Sequence, residues 1–205
     1  MIQLNRVEAT GGFFLLLAWL NYIDRAFLVP MTLIACALHE LGHVAAIRLL
    51  GGSVKGVRLT AIGAELVLAY PLGYWQEGLS ALAGPGVNLL LALAFCTIPG
   101  GVTFSGLNLV LAFFNLLPLG RLDGGRAVYC TLALLAGQEA ADQIRRCLDC
   151  LSTAGMMTAG LFLTIFRGNI TLLLTAFWLT AVVLRQKKYG FPRNKACQRS
   201  RKKVQ

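Results

Sequence analysis

Two histidines and a glutamate stand together in a long apolar stretch, in the order His39-Glu40-Leu41-Gly42-His43. On a helix, residues four apart share a face, so both imidazoles should point at one spot. Neutral imidazoles at this spacing can hold a zinc ion and leave positions for a third ligand and a water. Glu40 lies beside the pair and can take a proton from that water. A single buried histidine is more often a satisfied core residue, but a pair with a glutamate in an apolar segment favours a zinc site.

A second stretch that could take part in chemistry begins at Asn115, where the chain has the sequence N-L-L-P-L-G-R-L-D-G-G. Pro118 and Gly120 should break a helix here, and irregular backbone at membrane depth is tolerated only where it lines a cavity or packs in protein. Asp123 precedes two glycines that let other backbone come close, so it is a candidate third ligand. It could also cap a helix that starts near Gly125. Cys36, one turn before His39, is a weaker candidate because a third ligand there would crowd one helix.

The composition is that of a polytopic membrane protein rather than a soluble globule. Of 205 residues, 57% are apolar and 14% are charged, and the mean hydropathy is +0.67. We expect one membrane-embedded domain over residues 1–184, with its core at about 26–126, and a basic tail over 185–205. The tail carries nine basic residues and no acid. After an apolar helix, this favours a cytosolic anchor on anionic lipid over a nucleic-acid site.

The predicted fold is an all-α polytopic membrane protein with about six transmembrane helices and a small β-hairpin after the H-E-x-x-H helix. The six apolar segments are 11–23, 26–50, 78–98, 102–119, 151–166 and 170–184. Strand-forming residues within 53–70 predict the hairpin. Residues 126–150 should form helical material at the cytosolic surface, with Asp142/Arg146 and Arg145/Asp149 as i,i+4 pairs. The distribution of positive charges places both termini in the cytosol.

The two motifs in this order resemble the site-2 protease family of intramembrane zinc metalloproteases. The element Gly84-Pro85-Gly86-Val87-Asn88, which by itself indicates close helix packing, is also similar to that family. The resemblance covers about residues 32–126 and extends to the compact bacterial branch that includes the stage IV sporulation protein FB. Gly120 and Arg121 stand where the family commonly has prolines, which bears on the shape of the loop and not on the ligand set.

The resemblance implies a function and a set of roles. His39, His43 and Asp123 would bind one zinc ion, Glu40 would be the general base, and Asn115 would assist the substrate or the oxyanion. The implied partners are a membrane-associated protein substrate and the lipid bilayer, with room for a regulatory membrane subunit and no nucleic acid. The implied location is a bacterial cell membrane, crossed several times.

Two other classes of function remain open from the sequence. One is a proteolytically inactive zinc-binding membrane scaffold, and the intact Glu40 argues against it because pure binding needs no base. The other is a metal transporter. Transporters usually spread ionisable groups along a path through several spans, whereas here these groups gather near one face.

Overall fold

The computed structural model describes residues 7–9, 11–24, 26–60, 63–120, 122–168, 170, 173–177 and 180. The predicted basic tail, and most of the predicted apolar segment 170–184, lie outside the described residues. The elements are β1 (Val7–Ala9), α1 (Gly11–Ile23), α2 (Leu28–Leu49), β2 (Val54–Thr60), β3 (Gly63–Leu68), α3 (Tyr74–Phe95), α4 (Val102–Asn115), α5 (Asp123–Leu135) and α6 (Gln138–Arg167). They group into two compact units, residues 1–72 with 79–115 and residues 73–78 with 116–205.

In the first unit, α2 and α3 approach each other through small residues. A Cβ atom added at Gly42 would lie 2.8 Å from Val87 Cγ2 and 3.0 Å from the Ala83 carbonyl oxygen. Glycine at this position therefore lets the two backbones come close, which is how helices pack in a membrane, where apolar burial gives little driving force. The close packing expected from the Gly84–Asn88 element is present, and Pro85 lies inside α3.

The start of α2 is held by an acidic side chain. Asp24 accepts hydrogen bonds from the backbone N–H groups of Val29 (2.8 Å), Ala26 (3.0 Å) and Leu28 (3.1 Å). These groups would otherwise lack partners at a helix N-terminus. The hydrogen bond from Val29, and the other two with it, hold the pKa of Asp24 below its usual value.

A three-stranded sheet in the order β1-β2-β3 joins the end of α2. The expected hairpin is confirmed, because β2 and β3 pair antiparallel, with Val57 opposite Leu66. β1, which was not expected, pairs parallel with β2. Below the hairpin, Ile47, Val54 and Leu72 form a buried cluster. The turn between α2 and β2 is tight there, since the Gly52 N–H donates to the Ile47 carbonyl oxygen at 2.8 Å.

In the second unit, α5 and α6 follow an irregular loop. Helix α4 of the first unit ends at Asn115, so the predicted break at Pro118 and Gly120 is confirmed. Segment 126–150 is helical, as expected, and its second helix continues without a break into residues 151–166, because α6 runs for 30 residues. No proline or glycine interrupts the chain between Gln138 and Cys150, so the helix continues through the polar residues into the apolar ones.

The described part of the chain is mostly helical and contains three helices long and apolar enough to cross a membrane. They are α2, α3 and residues 138–166 of α6. Helix α4 is a shorter apolar helix of 14 residues. The finding supports a membrane protein with a small sheet, as expected. Six spans stay a prediction, because most of the last predicted span lies outside the described residues.

Candidate metal centre

The buried side of α2 carries both histidines. Its buried residues are Ala35, His39, Gly42, His43 and Ile47, which follow helical spacing along one face. His39 and His43 are each 5% exposed. The i,i+4 prediction therefore holds, since the imidazoles lie together with their ring centroids 4.7 Å apart.

Both imidazoles meet an oxygen acceptor on their Nδ1 side. His39 Nδ1 lies 3.2 Å from Asn88 Oδ1, and His43 Nδ1 lies 2.7 Å from the Ser80 carbonyl oxygen. Since these oxygens accept and do not donate, this geometry corresponds to the tautomer in which each Nδ1 carries the proton and each Nε2 presents a lone pair. The two Nε2 atoms lie 3.1 Å apart, and two Zn–N bonds at a tetrahedral ion span ~3.3 Å. Two lone pairs this close repel each other unless a cation lies beside both, so the histidine pair fits a metal ion.

Gly84 on α3 provides the space in which the histidine pair lies. A Cβ atom at this position would lie 2.6 Å from His43 Cε1 and 2.8 Å from His39 Cε1, and it would also strike His43 Nε2. Ser80, Gly84 and Asn88 follow one another at intervals of four, so they lie on one face of α3. Ser80 and Asn88 supply the two acceptors, and Gly84 between them leaves space for the imidazoles. A glycine is required here because any side chain would displace the imidazoles.

Asp123 is the first residue of α5 and is 7% exposed. Leu122 is the N-cap residue of this helix and Asp123 lies in its first turn. Its Oδ1 lies 3.7 Å from Arg126 Nη1, and Arg126 Nη2 lies 3.7 Å from Glu77 Oε1. Arg126 therefore stands between two carboxylates and neutralises part of the charge that burial of Asp123 would otherwise leave uncompensated.

The two glycines after Asp123 let the preceding loop come close to α5, as the sequence predicted. A Cβ atom at Gly124 would strike the Leu116 carbonyl oxygen, and one at Gly125 would strike the Leu119 carbonyl oxygen. The irregular loop therefore lies directly against the first turn of α5. Side chains at either position would push the loop away from Asp123 and its helix.

The same loop is tied down by a buried acid on α6. Asp149, which is 5% exposed, accepts a hydrogen bond from the Gly120 N–H at 2.8 Å and one from Arg145 Nη1 at 3.5 Å. The predicted i,i+4 pair of Arg145 and Asp149 is present, and Asp149 is buried as well. Its carboxylate satisfies the backbone of the loop that leads to Asp123.

His39 and His43 in the first unit and Asp123 in the second are each buried, and each side chain can bind a metal ion. Imidazole nitrogens with a carboxylate are a ligand set that zinc accepts in catalytic sites. That the three residues share one ion stays a prediction.

Glu40 and Asn115 are the two residues that were predicted to be catalytic. Glu40 is half-buried and follows His39 directly on α2. Asn115 is the last residue of α4, is half-buried, and donates its Nδ2 hydrogen bond to the Leu111 carbonyl oxygen at 3.0 Å. The roles of both stay predictions.

Sequence reasoning overlooked Asn88 and Asp149. Asn88 stood in the Gly84–Asn88 element, which was interpreted only as a packing motif. The four-residue spacing of Ser80, Gly84 and Asn88 could have shown that one helical face has two polar members around a glycine. For Asp149 no pattern was available, because an i,i+4 ion pair has the same spacing on a surface as in a core.

The chain is similar in sequence to several known proteins. No protein-family model matches the chain. It is 33% identical over 134 residues to "Putative zinc metalloprotease sll0528" of Synechocystis sp., a match that covers 59% of this chain and 34% of the relative. It is 31% identical to "Putative zinc metalloprotease Rip3" of Mycobacterium tuberculosis, covering 58% and 33%. It is 32% identical to "Zinc metalloprotease MJ0392" of Methanocaldococcus jannaschii, covering 55% and 36%. The chain thus spans about a third of the length of these relatives.

The fold has a solved counterpart. The "Site-2 Protease from Methanocaldococcus jannaschii" superposes with a TM-score of 0.61 over 87% of this chain and 89% of its own, at 23% sequence identity. At that identity the likeness shows a shared fold.

Proposed function

We propose that this chain is an intramembrane zinc metalloprotease, which hydrolyses peptide bonds in or near the transmembrane segments of membrane-associated proteins. The observation that carries the proposal is the buried histidine pair, whose Nε2 atoms lie 3.1 Å apart on an apolar helix of 22 residues. The names of the relatives that match in sequence support the same activity.

Each residue of the motifs has a chemical role in this proposal. His39, His43 and Asp123 hold the zinc ion. When bound, zinc supplies Lewis acidity, which makes water nucleophilic near neutral pH and polarises a peptide carbonyl. Glu40 accepts the proton of the attacking water and returns it to the departing amine. Asn115 steadies the oxyanion or the substrate, for which its amide must turn away from the Leu111 carbonyl oxygen.

The sheet offers a way to present a substrate in a form that can be cut. A helical substrate hides its carbonyls in backbone hydrogen bonds, so it must unwind before attack. Among the described strands, β3 pairs with β2 on one side, and its other edge lies at the end of the sheet. We propose that an unwound substrate pairs with this edge as an added strand.

The proposed setting is a bacterial cell membrane that the chain crosses about six times, with both termini in the cytosol. Three helices of sufficient length and apolarity support the membrane location. Six spans and the cytosolic ends rest on the six apolar segments and on the positive charges. The partners are a membrane-associated protein substrate and the bilayer, and a regulatory membrane subunit could bind in addition.

The test compares Glu40→Gln with the wild type on a reporter that carries one transmembrane segment. Glu40→Gln should keep its zinc and its thermal stability and lose cleavage, because only the proton acceptor is removed. Glu139→Gln is the matched control, since Glu139 is an exposed acid in the first turn of α6 and should cut as the wild type does. Cleavage by purified Glu40→Gln near the wild-type rate would refute the general-base role.

The same preparations separate the alternatives. Zinc content is measured by mass spectrometry, and zinc flux is followed in vesicles that contain the wild-type protein. A wild type that binds zinc and cuts none of a panel of single-span reporters would favour the scaffold. Zinc flux that survives in Glu40→Gln would favour the transporter.

A further inference from the structure

Two asparagines in the membrane helices of the first unit are fully enclosed and only partly satisfied. Asn88 on α3 and Asn108 on α4 are both 0% exposed. Asn88 Nδ2 and Asn108 Oδ1 each have no hydrogen-bond partner. The first is a donor and the second is an acceptor, so each could supply what the other lacks. Buried polar atoms without partners are costly, and a complementary pair of them requires an explanation.

The register of α3 and α4 brings residues Asn88 and Asn108 to neighbouring levels of the two helices. The rings of Phe95 and Phe104 are in contact, with centroids 5.0 Å apart. Further from the turn, Ser105 Oγ donates to the Ala92 carbonyl oxygen at 2.7 Å. Contacts that descend along α3 while they ascend along α4 show that the helices are antiparallel. One turn beyond the Ser105–Ala92 contact, the next facing positions are Asn88 and Asn108.

The tautomer of His39 determines which way the Asn88 amide must point. A histidine that binds metal through Nε2 carries its proton on Nδ1, so Asn88 must offer oxygen to it, as it does at 3.2 Å. This arrangement turns the NH2 group of Asn88 away from His39. The reversed amide would donate to Nδ1 and leave the proton on Nε2, and that form cannot bind a metal. An acceptor for the NH2 group on α4 therefore favours the metal-binding tautomer.

Asn88 Nδ2 and Asn108 Oδ1 are not hydrogen-bonded to each other in this structure. We propose that they join when metal binds, in a hydrogen-bonded relay that orients His39. Asn108 is fixed to its own helix, because its Nδ2 donates to the Phe104 carbonyl oxygen at 2.9 Å, and its Oδ1 remains a buried acceptor without a partner. That oxygen takes the Asn88 NH2 group, and Asn88 Oδ1 then holds the His39 Nδ1–H. Both asparagines are positioning residues that act through His39, and the role rests on the proposed metal site.

The zinc affinity of the purified full-length chain tests the first step of the relay. Affinity is measured in detergent by competition of Zn²⁺ with a chelator, and the thermal midpoint of each zinc-free variant is measured beside it. Asn88→Ala should weaken zinc binding by about 10-fold or more, as loss of a partner of a ligand histidine does. Asn88→Asp keeps an oxygen for Nδ1–H and should stay within about 3-fold of the wild type. Equal losses in the two variants would overturn the acceptor role of Asn88.

Ser105→Ala is the matched control. It removes another hydrogen bond between the same two helices, the one to the Ala92 carbonyl oxygen, and it touches neither histidine. It should lower the thermal midpoint without changing the zinc affinity. If Asn88→Ala weakened zinc binding no more than Ser105→Ala does, Asn88 would be a packing residue and the relay would be wrong.

The second step is tested by a double substitution. Asn108→Ala should weaken zinc binding by a smaller factor than Asn88→Ala, because Asn88 remains next to His39. The double variant should bind zinc as Asn88→Ala does, since Asn108 acts through Asn88. Additive losses would overturn the relay. A wild type that binds no zinc would instead refute the metal site, so failure of the proposed function is distinguishable from failure of the relay.

Discussion

Replacing Gly84 by alanine would put a methyl group against both imidazoles. The new Cβ would lie 2.6 Å from His43 Cε1 and 2.8 Å from His39 Cε1, whereas ordinary contact begins at 3.4 Å. The rings must therefore retreat by about 0.6 to 0.8 Å, unless α3 moves as a whole. Metal–ligand distances tolerate changes of about 0.2 Å. A misplacement near 1 Å costs about 100-fold in catalysis, so we expect a loss of that order in both zinc affinity and kcat/KM.

The global stability should change much less than the activity. Overpacking costs about 1 to 3 kcal/mol, while alanine in place of a helical glycine returns about 1 kcal/mol. Gly86→Ala is the control, since a Cβ there would meet nothing within 4 Å and the same helix gains the same propensity. Zinc affinity and reporter cleavage are measured on both purified variants. Equal zinc affinity in Gly84→Ala and Gly86→Ala would refute the close packing of α3 on the histidine pair.

Two further predictions concern the third ligand and the orientation in the membrane. Asp123→Ala should lower zinc occupancy and activity while Cys36→Ala leaves both largely unchanged, and metal analysis that found the reverse would remove Asp123 from the ligand set. In a chain stripped of its other cysteines, Cys147 should react with an impermeant maleimide from the cytosolic face and Cys96 from the opposite face. Both residues are exposed, and labelling of Cys147 from outside would overturn the predicted orientation.

The site could be predicted from sequence wherever its chemistry is local. The histidine pair follows from helical spacing alone, because His39 and His43 are four residues apart on one helix. Asp123 is distant in sequence, yet the broken helix before it and the two glycines after it indicated a close approach of backbone. The contacts at Gly124 and Gly125 show that approach directly.

The features that escaped prediction depend on partners far along the chain. The three residues of β1, Val7–Ala9, are too few to form a recognisable pattern, and they pair with β2 about fifty residues later. The roles of Asn88 and Asp149 arise from groups on other helices or loops. Asn88 contacts His39 from 49 positions away, and Asp149 contacts Gly120 from 29. Periodicity carries no information about such pairs.

The buried cluster of Ile47, Val54 and Leu72 makes the sheet and the end of α2 a single cooperative unit of unfolding. His43 lies one turn before Ile47 on the same buried face. Local opening of the hairpin would uncover that cluster and loosen the last turns of α2, including one imidazole. Loss of the sheet should therefore weaken the metal site as well, so a partly unfolded molecule should lose its activity rather than cut peptides without selection.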